Sequence, residues 1–378
     1  MTNVPEIRFK GFTDAWEQRK LREICEVVTG STPPTQNQEY YNGDFLFVSP
    51  VDIQENRYVE KTKTTLTSIG FDKGRKIRKG ASLFVCIGST IGKVAQATKE
   101  SITNQQINSV IGNDYMDDDF IYSSLLKASG KIQKLSATQA VPIINKSTFE
   151  NIELSIACIE EQTAIGNFFR ILDNVIDLHK RMLDKLKELK KGYLQQMFPQ
   201  EGESVPKVRI EGFKGDWVER KLSEAVNINS GKDYKHLSTG DIPVYGTGGY
   251  MLSVNDKLSD KDAVGIGRKG TIDKPQLLEA PFWTVDTLFY AIPKTENDLY
   301  FMFSMFELIN WKSFDESTGV PSLSKATIID ISRMFPSLCE QIAIGNFFRN
   351  LDTQTTAHQI KLDKLKQLKT AYLQKMFV

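Results

Sequence analysis

The chain has 378 residues, of which 40% are hydrophobic, with 48 lysines and arginines against 47 aspartates and glutamates. That length allows two or three ordinary cores, and the composition is globular rather than disordered. A net charge of +1 lacks the basic excess of a free-standing nucleic-acid binder, which leaves local patches or partner subunits to attract phosphate. The stretch from Met1 to Lys10 has no apolar core of a secretory signal, and no apolar run reaches the roughly 20 residues of a membrane span. Cys25, Cys86, Cys158 and Cys339 are far apart and form no C-x-x-C, so reduced thiols and a cytoplasmic location are expected.

In chain order, a short segment runs from Val4-Pro5 through Gly11-Phe12 and Trp16 to Arg19-Lys20-Leu21. Strands are predicted at Phe45-Leu46-Phe47-Val48 and from Ser82 to Ile87, short β-rich runs bounded by turn residues. Between them lies the densest positive run, in which Lys73, Arg75, Lys76 and Arg78 are candidate phosphate contacts; a solvated surface is the bland alternative. Gly88-Ser89-Thr90-Ile91-Gly92-Lys93 looks like a phosphate loop, but it has too few residues between its glycines and has Val94 where Ser or Thr is needed. Ser89, Thr90 and Lys93 are kept as candidate DNA contacts on a glycine loop open to close approach, with a plain hairpin turn equally admissible. Asn104, Gln105 and Gln106, with Thr138-Gln139, offer amides able to pair with adenine edges. A helical patch follows near 119–126.

From Ile165 to Tyr193 apolar residues recur every three or four positions, which predicts a long helix with a heptad seam through Ile165, Phe168, Leu172, Val175, His179, Met182, Leu186 and Leu189. At 1.5 Å per residue it is about 55 Å long. Pro199 stops it, and residues 200–206 form a polar linker.

The chain then repeats itself. The opening segment returns from Val205-Pro206 through Gly212-Phe213 and Trp217 to Arg220-Lys221-Leu222. The long helix returns from Glu340-Gln341 to Met376-Phe377, with 24 of 38 aligned positions identical. The second seam includes Leu351, His358 and Leu365, and Ser337-x-x-Glu340 predicts a capping box at its start. Between these constant parts the sequence diverges, over residues 30–142 in the first copy and 231–321 in the second, which is the shorter. Strands are predicted at Ala263–Ile266 and Thr284–Tyr290, and a helix near 299–309.

Chemical motifs fail on context. Gly265-x-Gly267-x-x-Gly270 matches a dinucleotide fingerprint, but Pro275 ends any helix that could hold the pyrophosphate, so a tight β-turn is expected. Arg268, Lys269 and Thr271 on it remain candidate DNA contacts, as do Lys232, Lys235 and His236. The three histidines lack metal spacing. The only Pro-Pro, Pro33-Pro34, is not a methyltransferase motif, and no acidic cluster suggests a nuclease. Neither a catalytic residue nor a metal is expected.

The predicted fold is α+β: two mostly-β heads joined by two long helices that form an antiparallel coiled coil, pseudo-twofold and pseudo-cyclic. Boundaries are expected at 1–155 for head one, 156–199 for the first helix, 207–335 for head two and 336–378 for the second helix. In such a pair His179 and His358 are expected to meet near the axis.

The whole pattern resembles the specificity subunits of type I restriction-modification enzymes. The resemblance rests on the duplicated Gly-Phe, Trp and Lys-Leu segments, on Phe47-Val48-Ser49-Pro50-Val51-Asp52-Ile53, on Val244 to Tyr250, on Val285-Asp286-Thr287 and on the helical repeats. It implies that each head is a target-recognition domain for one half of a bipartite, asymmetric DNA site, and that the helices set the spacer. It further implies two modification subunits that methylate adenine, and motor-nuclease subunits, with S-adenosylmethionine, ATP and magnesium held by those partners. Tyr245, Thr247 and Tyr250 join the candidate DNA contacts on this ground. A coiled-coil adaptor displaying two protein-binding heads is the competing reading.

Overall fold

The computed structural model describes residues 3–135 and 142–378; Thr138-Gln139 lie outside them. The chain divides into two compact units, Met1–Arg181 with Gln359–Val378, and Met182–His358. The division falls within both long helices, so each head keeps its own helical residues, unlike the boundaries read from the sequence.

Unit one carries the first head. A five-stranded sheet runs in the order Cys25–Thr29, Ile107–Gly112, Ser82–Val85, Val94–Ala97, Tyr58–Val59, and a four-stranded sheet in the order Thr64–Leu66, Tyr41–Val48, Ser101–Thr103, Lys76–Ile77. Helix Asp118–Lys134, capped by the Asp117 side chain at Phe120 N, lies on the first sheet. Unit two repeats the plan. Its four-stranded sheet runs Val226–Ser230, Leu288–Pro293, Ala263–Gly267, Gln276–Leu278, and a three-stranded sheet runs Gly249–Val254, Thr239–Gly246, Trp283–Thr284. Helix Leu299–Leu308 is capped by Asp298 at Phe301 N. The run Thr284–Tyr290, read as one strand, is two: Val285–Thr287 turns the chain from one sheet into the other. The heads are thus mixed α/β.

The long helices are Ile159–Gln196 and Leu338–Lys375, 38 residues each. Their buried faces follow alternating four- and three-residue steps: Ile165, Phe169, Leu172, Leu183 and Leu186 in the first, Ile344, Phe348, Leu351 and Leu362 in the second. The predicted seam is therefore corrected by one position in places. Phe169 and Leu183 are buried instead of Phe168 and Met182, and Met182 and Leu189 are 41% and 45% exposed. On the corrected phase Lys190 and Lys369 stand at equivalent seam positions, and each pairs with a carboxylate inside its own unit: Lys190 with Asp352 at 2.7 Å, Lys369 with Asp173 at 2.5 Å. His179 and His358 are half-buried on the same phase, as Leu365 is. The predicted capping box is only half present. Ser337 Oγ accepts from Glu340 N at 3.4 Å, but the Glu340 carboxylate turns to Arg209 instead of back to the cap.

Each head is completed by the end of a helix from the other copy of the repeat. In unit two Phe198 packs on Trp217, Phe301 and Phe348, with ring centroids 5.4–6.2 Å apart, and Val208 N donates to Gln196 O at 2.9 Å. In unit one Phe377 packs on Trp16, Phe120 and Phe169 at 5.4–5.9 Å, and Ile7 N donates to Lys375 O at 3.0 Å. Asn3 O accepts from Trp16 N at 2.8 Å, so Asn3 and Phe377 both lie against Trp16. The closure expected of a pseudo-cyclic chain is present. A permutant that joins Val378 to Met1 through a short linker and opens within residues 200–204 is expected to fold with unfolding midpoints within a few degrees of the parent, checked by calorimetry. An insoluble permutant contradicts this.

Two glycines show how the helices dock. A Cβ on Gly166 would lie 2.3 Å from Asp117 Oδ1, and one on Gly345 would lie 2.2 Å from Asp298 Oδ1. Only glycine lets the cap of each head helix approach that closely. Gln162 and Gln341 complete the joint by accepting from Asp117 N and Asp298 N, both at 3.1 Å.

Candidate nucleic-acid interface

The variable loops of each head are gathered by six backbone hydrogen bonds, and the six are the same in both heads. In head one Gly30 N donates to Ile107 O (3.0 Å), Ser31 N to Thr103 O (2.8 Å) and Asn104 N to Val48 O (2.9 Å). Cys86 N donates to Gln106 O (2.8 Å), Gly88 N to Pro142 O (3.0 Å) and Ile144 N to Cys86 O (2.9 Å). In head two the bonds run from Gly231 to Leu288 (3.0 Å), Lys232 to Thr284 (2.9 Å), Val285 to Tyr245 (3.0 Å), Arg268 to Thr287 (2.8 Å), Gly270 to Pro321 (2.8 Å) and Leu323 to Arg268 (2.9 Å). Strand ends, glycine turns and a sheet-to-sheet crossover thereby form one loop face per head.

The glycines of this frame are structural. A Cβ on Gly30 would fall 2.0 Å from Asn104 O, and one on Gly231 would fall 1.9 Å from Val285 O. Gly88 and Gly270 have φ of 97° and 91°, which L side chains rarely adopt. Both glycine-rich motifs of the sequence are thus turns of the same frame. The side chains on the frame differ between the heads. Where head one has Ser31, Cys86, Ile87, Asn104, Gln105 and Gln106, head two has Lys232, Arg268, Lys269, Val285, Asp286 and Thr287.

The predicted contacts separate into those on this face and those away from it. Asn104 Nδ2 donates to Gln106 Oε1 at 3.0 Å, and exposed Gln105 accepts from Thr32 Oγ1 at 2.6 Å. Ser89 is exposed and Thr90 half-buried on the turn that follows Gly88. Arg75 reaches the edge of the face, donating N to Ser31 Oγ at 2.9 Å and Nη1 to Thr29 O at 2.7 Å. Lys73 is exposed nearby in sequence, and Lys76 pairs with Asp72 at 2.6 Å. Arg78 lies elsewhere. Its guanidinium binds Asp118 and the carbonyl of Gly112, at the strand end opposite Ile107. Lys93 Nζ donates to Ile53 O at 3.2 Å. The Ser49–Ile53 token is a turn locked by Asp52, which accepts from Ser49 N and Oγ and from Lys63 N.

In head two Arg268 and Lys269 are exposed, and Thr271 is half-buried. Tyr245 and Tyr250 face each other across a hairpin at 6.4 Å, and Gln276 Nε2 holds the Gly246 and Thr247 carbonyls. Burial, with Glu279 nearby, raises the Tyr245 hydroxyl above its usual range, so it stays a donor at neutral pH. Trp283 Nε1 donates to Lys232 O at 2.9 Å and orders the start of the face. Sequence reasoning missed Ser31, Thr32 and Asp286; the signal available was the glycine repeated after each first sheet strand.

Burial pushes the Cys25 and Cys86 thiols up to about 12, which keeps them protonated. Among the described residues no His, Cys, Asp and Glu group is placed to hold a metal ion, and no helix is long and apolar enough to cross a membrane.

The two heads thus share one backbone frame and differ in the side chains it carries. The family described as type I restriction modification DNA specificity domain matches residues 13–188 and 214–367, and the chain belongs to that family. It is 31% identical over 178 residues to the type I restriction enzyme HindI specificity subunit of Haemophilus influenzae, covering 45% of this chain and 39% of that protein. It is 24% identical over 237 residues to the MjaVIII specificity subunit of Methanocaldococcus jannaschii, covering 62% of this chain and 54% of that one. The matches thus span about half or less of these relatives. The EcoprrI specificity subunit of Escherichia coli is matched more fully, 22% identical over 89% of this chain and 88% of its own. The crystal structure of the S subunit from M. genitalium shares the fold at a TM-score of 0.77, with 20% identity and 99% of each chain covered.

Proposed function

We propose that this chain reads DNA for a type I restriction-modification complex, one half of a bipartite, asymmetric site per head. The observation that carries the reading is the six-bond frame, identical in both heads, on which the side chains differ from one head to the other. A protein that must keep a docking geometry and change its sequence preference needs that division of labour, because backbone position sets register while side chains read base edges. The long helices pair as an antiparallel coiled-coil spacer that fixes the gap between half-sites, and their outer faces dock two methyltransferase subunits; motor-nuclease subunits join for cleavage. Adenine methylation and ATP-driven cleavage belong to those partners, with their S-adenosylmethionine, ATP and magnesium. This chain supplies positioning, with Arg75 and Lys232 near phosphate.

The test is a head exchange. Replacing residues 231–321 by the corresponding stretch of another family member, in complex with the modification subunits, is expected to change one half of the methylated motif and leave the other as it was. Motifs are read by sequencing methylated adenines. A change in both halves contradicts the two-reader arrangement, and sequence-independent binding points instead to a protein-binding adaptor.

A further inference from the structure

The loop frame places different chemistry at the same positions of the two heads, and a difference in what they read follows; it rests on the DNA-reading function just proposed. In head two the carbonyl of Thr287 accepts from Arg268 N at 2.8 Å and from Lys269 N at 3.3 Å. The Arg268 guanidinium reaches the Asp286 carbonyl at 3.4 Å and lies 5.8 Å from the Phe289 ring centroid. Arg268, Lys269 and Asp286 are all exposed. Two cations and a carboxylate therefore share one loop edge. A patch that only gripped phosphate gains nothing from the carboxylate, which phosphate repels. Against base edges the set is complementary: arginine or lysine suits guanine O6 and N7, and aspartate accepts from cytosine N4. These are the two halves of one G·C pair.

In head one the same backbone positions hold Cys86, which is buried, with Ile87 and Gln105 in place of Lys269 and Asp286. Asn104 and Gln106 bond to each other beside them. Amides suit adenine N6 and N7, and an aliphatic side chain suits the thymine methyl. We infer that Arg268, Lys269 and Asp286 make head two require a G·C pair in its half-site, and that Ile87, Gln105 and Gln106 make head one require an A·T pair in the corresponding place.

The experiment selects from a pool of random-sequence DNA duplexes with the chain bound to its modification subunits, for the parent and for Arg268→Gln, Asp286→Asn and the double variant Gln105→Ala/Gln106→Ala. The parent is expected to enrich a bipartite motif with an obligatory G·C in one half and A·T in the other. Arg268→Gln is expected to lower binding to the parent site roughly 5- to 150-fold and to relax that G·C position. Asp286→Asn is expected to relax the same position, and the glutamine variant an A·T position of the other half. Retention of the untouched half-site in each variant shows that the protein still folds. If Arg268→Gln weakens all sequences alike and lowers the salt slope by about one, Arg268 holds phosphate and the inference is overturned. It is also overturned if a bipartite motif emerges whose positions ignore these variants. Failure to enrich any motif overturns the DNA-reading function itself.

Discussion

Arg57→Leu is expected to lower the stability of unit one by about 2–3 kcal/mol, the loss of buried charge-assisted hydrogen bonds to Gln96, Asp119 and Asp173. The Arg57 side chain is 1% exposed. Its Nε donates to Gln96 at 2.9 Å, Nη1 to Asp173 at 3.3 Å and Nη2 to Asp119, while the guanidinium lies 4.4 Å from the Tyr122 ring centroid. Asp173 retains Lys369 and Asp119 retains Arg170 after the substitution, but the buried cation that joins the two carboxylates and Gln96 is lost. The effect is specific to this unit, because most of the extra length of head one falls between Val48 and Val85, and Arg57 lies in it. The same segment straps the head to its helical residues through Asn56 to Lys180 (3.0 Å), Glu60 to Arg181 (3.1 Å) and Glu55 to Lys366 (3.4 Å). Those exposed pairs are worth little each. Urea denaturation followed by fluorotryptophan resonances checks this, since Trp16 is the tryptophan of unit one and Trp217, Trp283 and Trp311 belong to unit two. A loss under about 1 kcal/mol, the value of a surface pair, is the result that refutes it.

The second large effect is at the duplicated clamp between each opening segment and its helix. Glu161 is fully buried and accepts from Arg8 Nε and Nη2 at 2.6 and 2.7 Å and from Trp16 Nε1 at 3.1 Å. Glu340 accepts from Arg209 Nε and Nη2, both at 2.8 Å, but the indole N–H of Trp217 has no partner. Glu161→Ala is expected to destabilise unit one by about 3–5 kcal/mol, as for a broken buried pair. Glu340→Ala should cost unit two less by about 1 kcal/mol, one hydrogen bond's worth. Denaturation of both variants settles the order. Equal losses, or a larger loss for Glu340→Ala, exclude the indole contribution.

Much of the frame was legible because the chain writes it twice. Trp16, Trp217 and Phe377 stood out in the repeated segments, and each proved to lie in a joint between a head and a helix. Their partners were not legible. Glu340 read as half of a capping box, since a local Ser-x-x-Glu pattern cannot show that Arg209 competes for the carboxylate from 131 residues away. The seam was misplaced at Phe168 and Met182 because two neighbouring apolar residues fit a helical period equally well, and the packing of the heads chooses between them. The interface was visible only in fragments. Gly88, Gln105 and Arg268 each looked like an isolated loop residue, and long-range backbone bonds gather each onto the loop face of its own head. Arg57 carried no signal at all, being a single cation in the unrepeated part of head one.

The way each head borrows its last helical residues has a consequence for how the protein is made. Unit two, Met182–His358, is one uninterrupted stretch of chain, whereas unit one waits for Gln359–Val378. Domains fold as they leave the ribosome, so the head translated second has all its parts first. The head translated first stays without Met376 and Phe377, both buried in its core, until Gln359–Val378 has been made. Loss of Gln359–Val378 therefore removes core residues from the first head and leaves the stretch that forms the second one whole, so a change late in the chain is felt in the head that was made first.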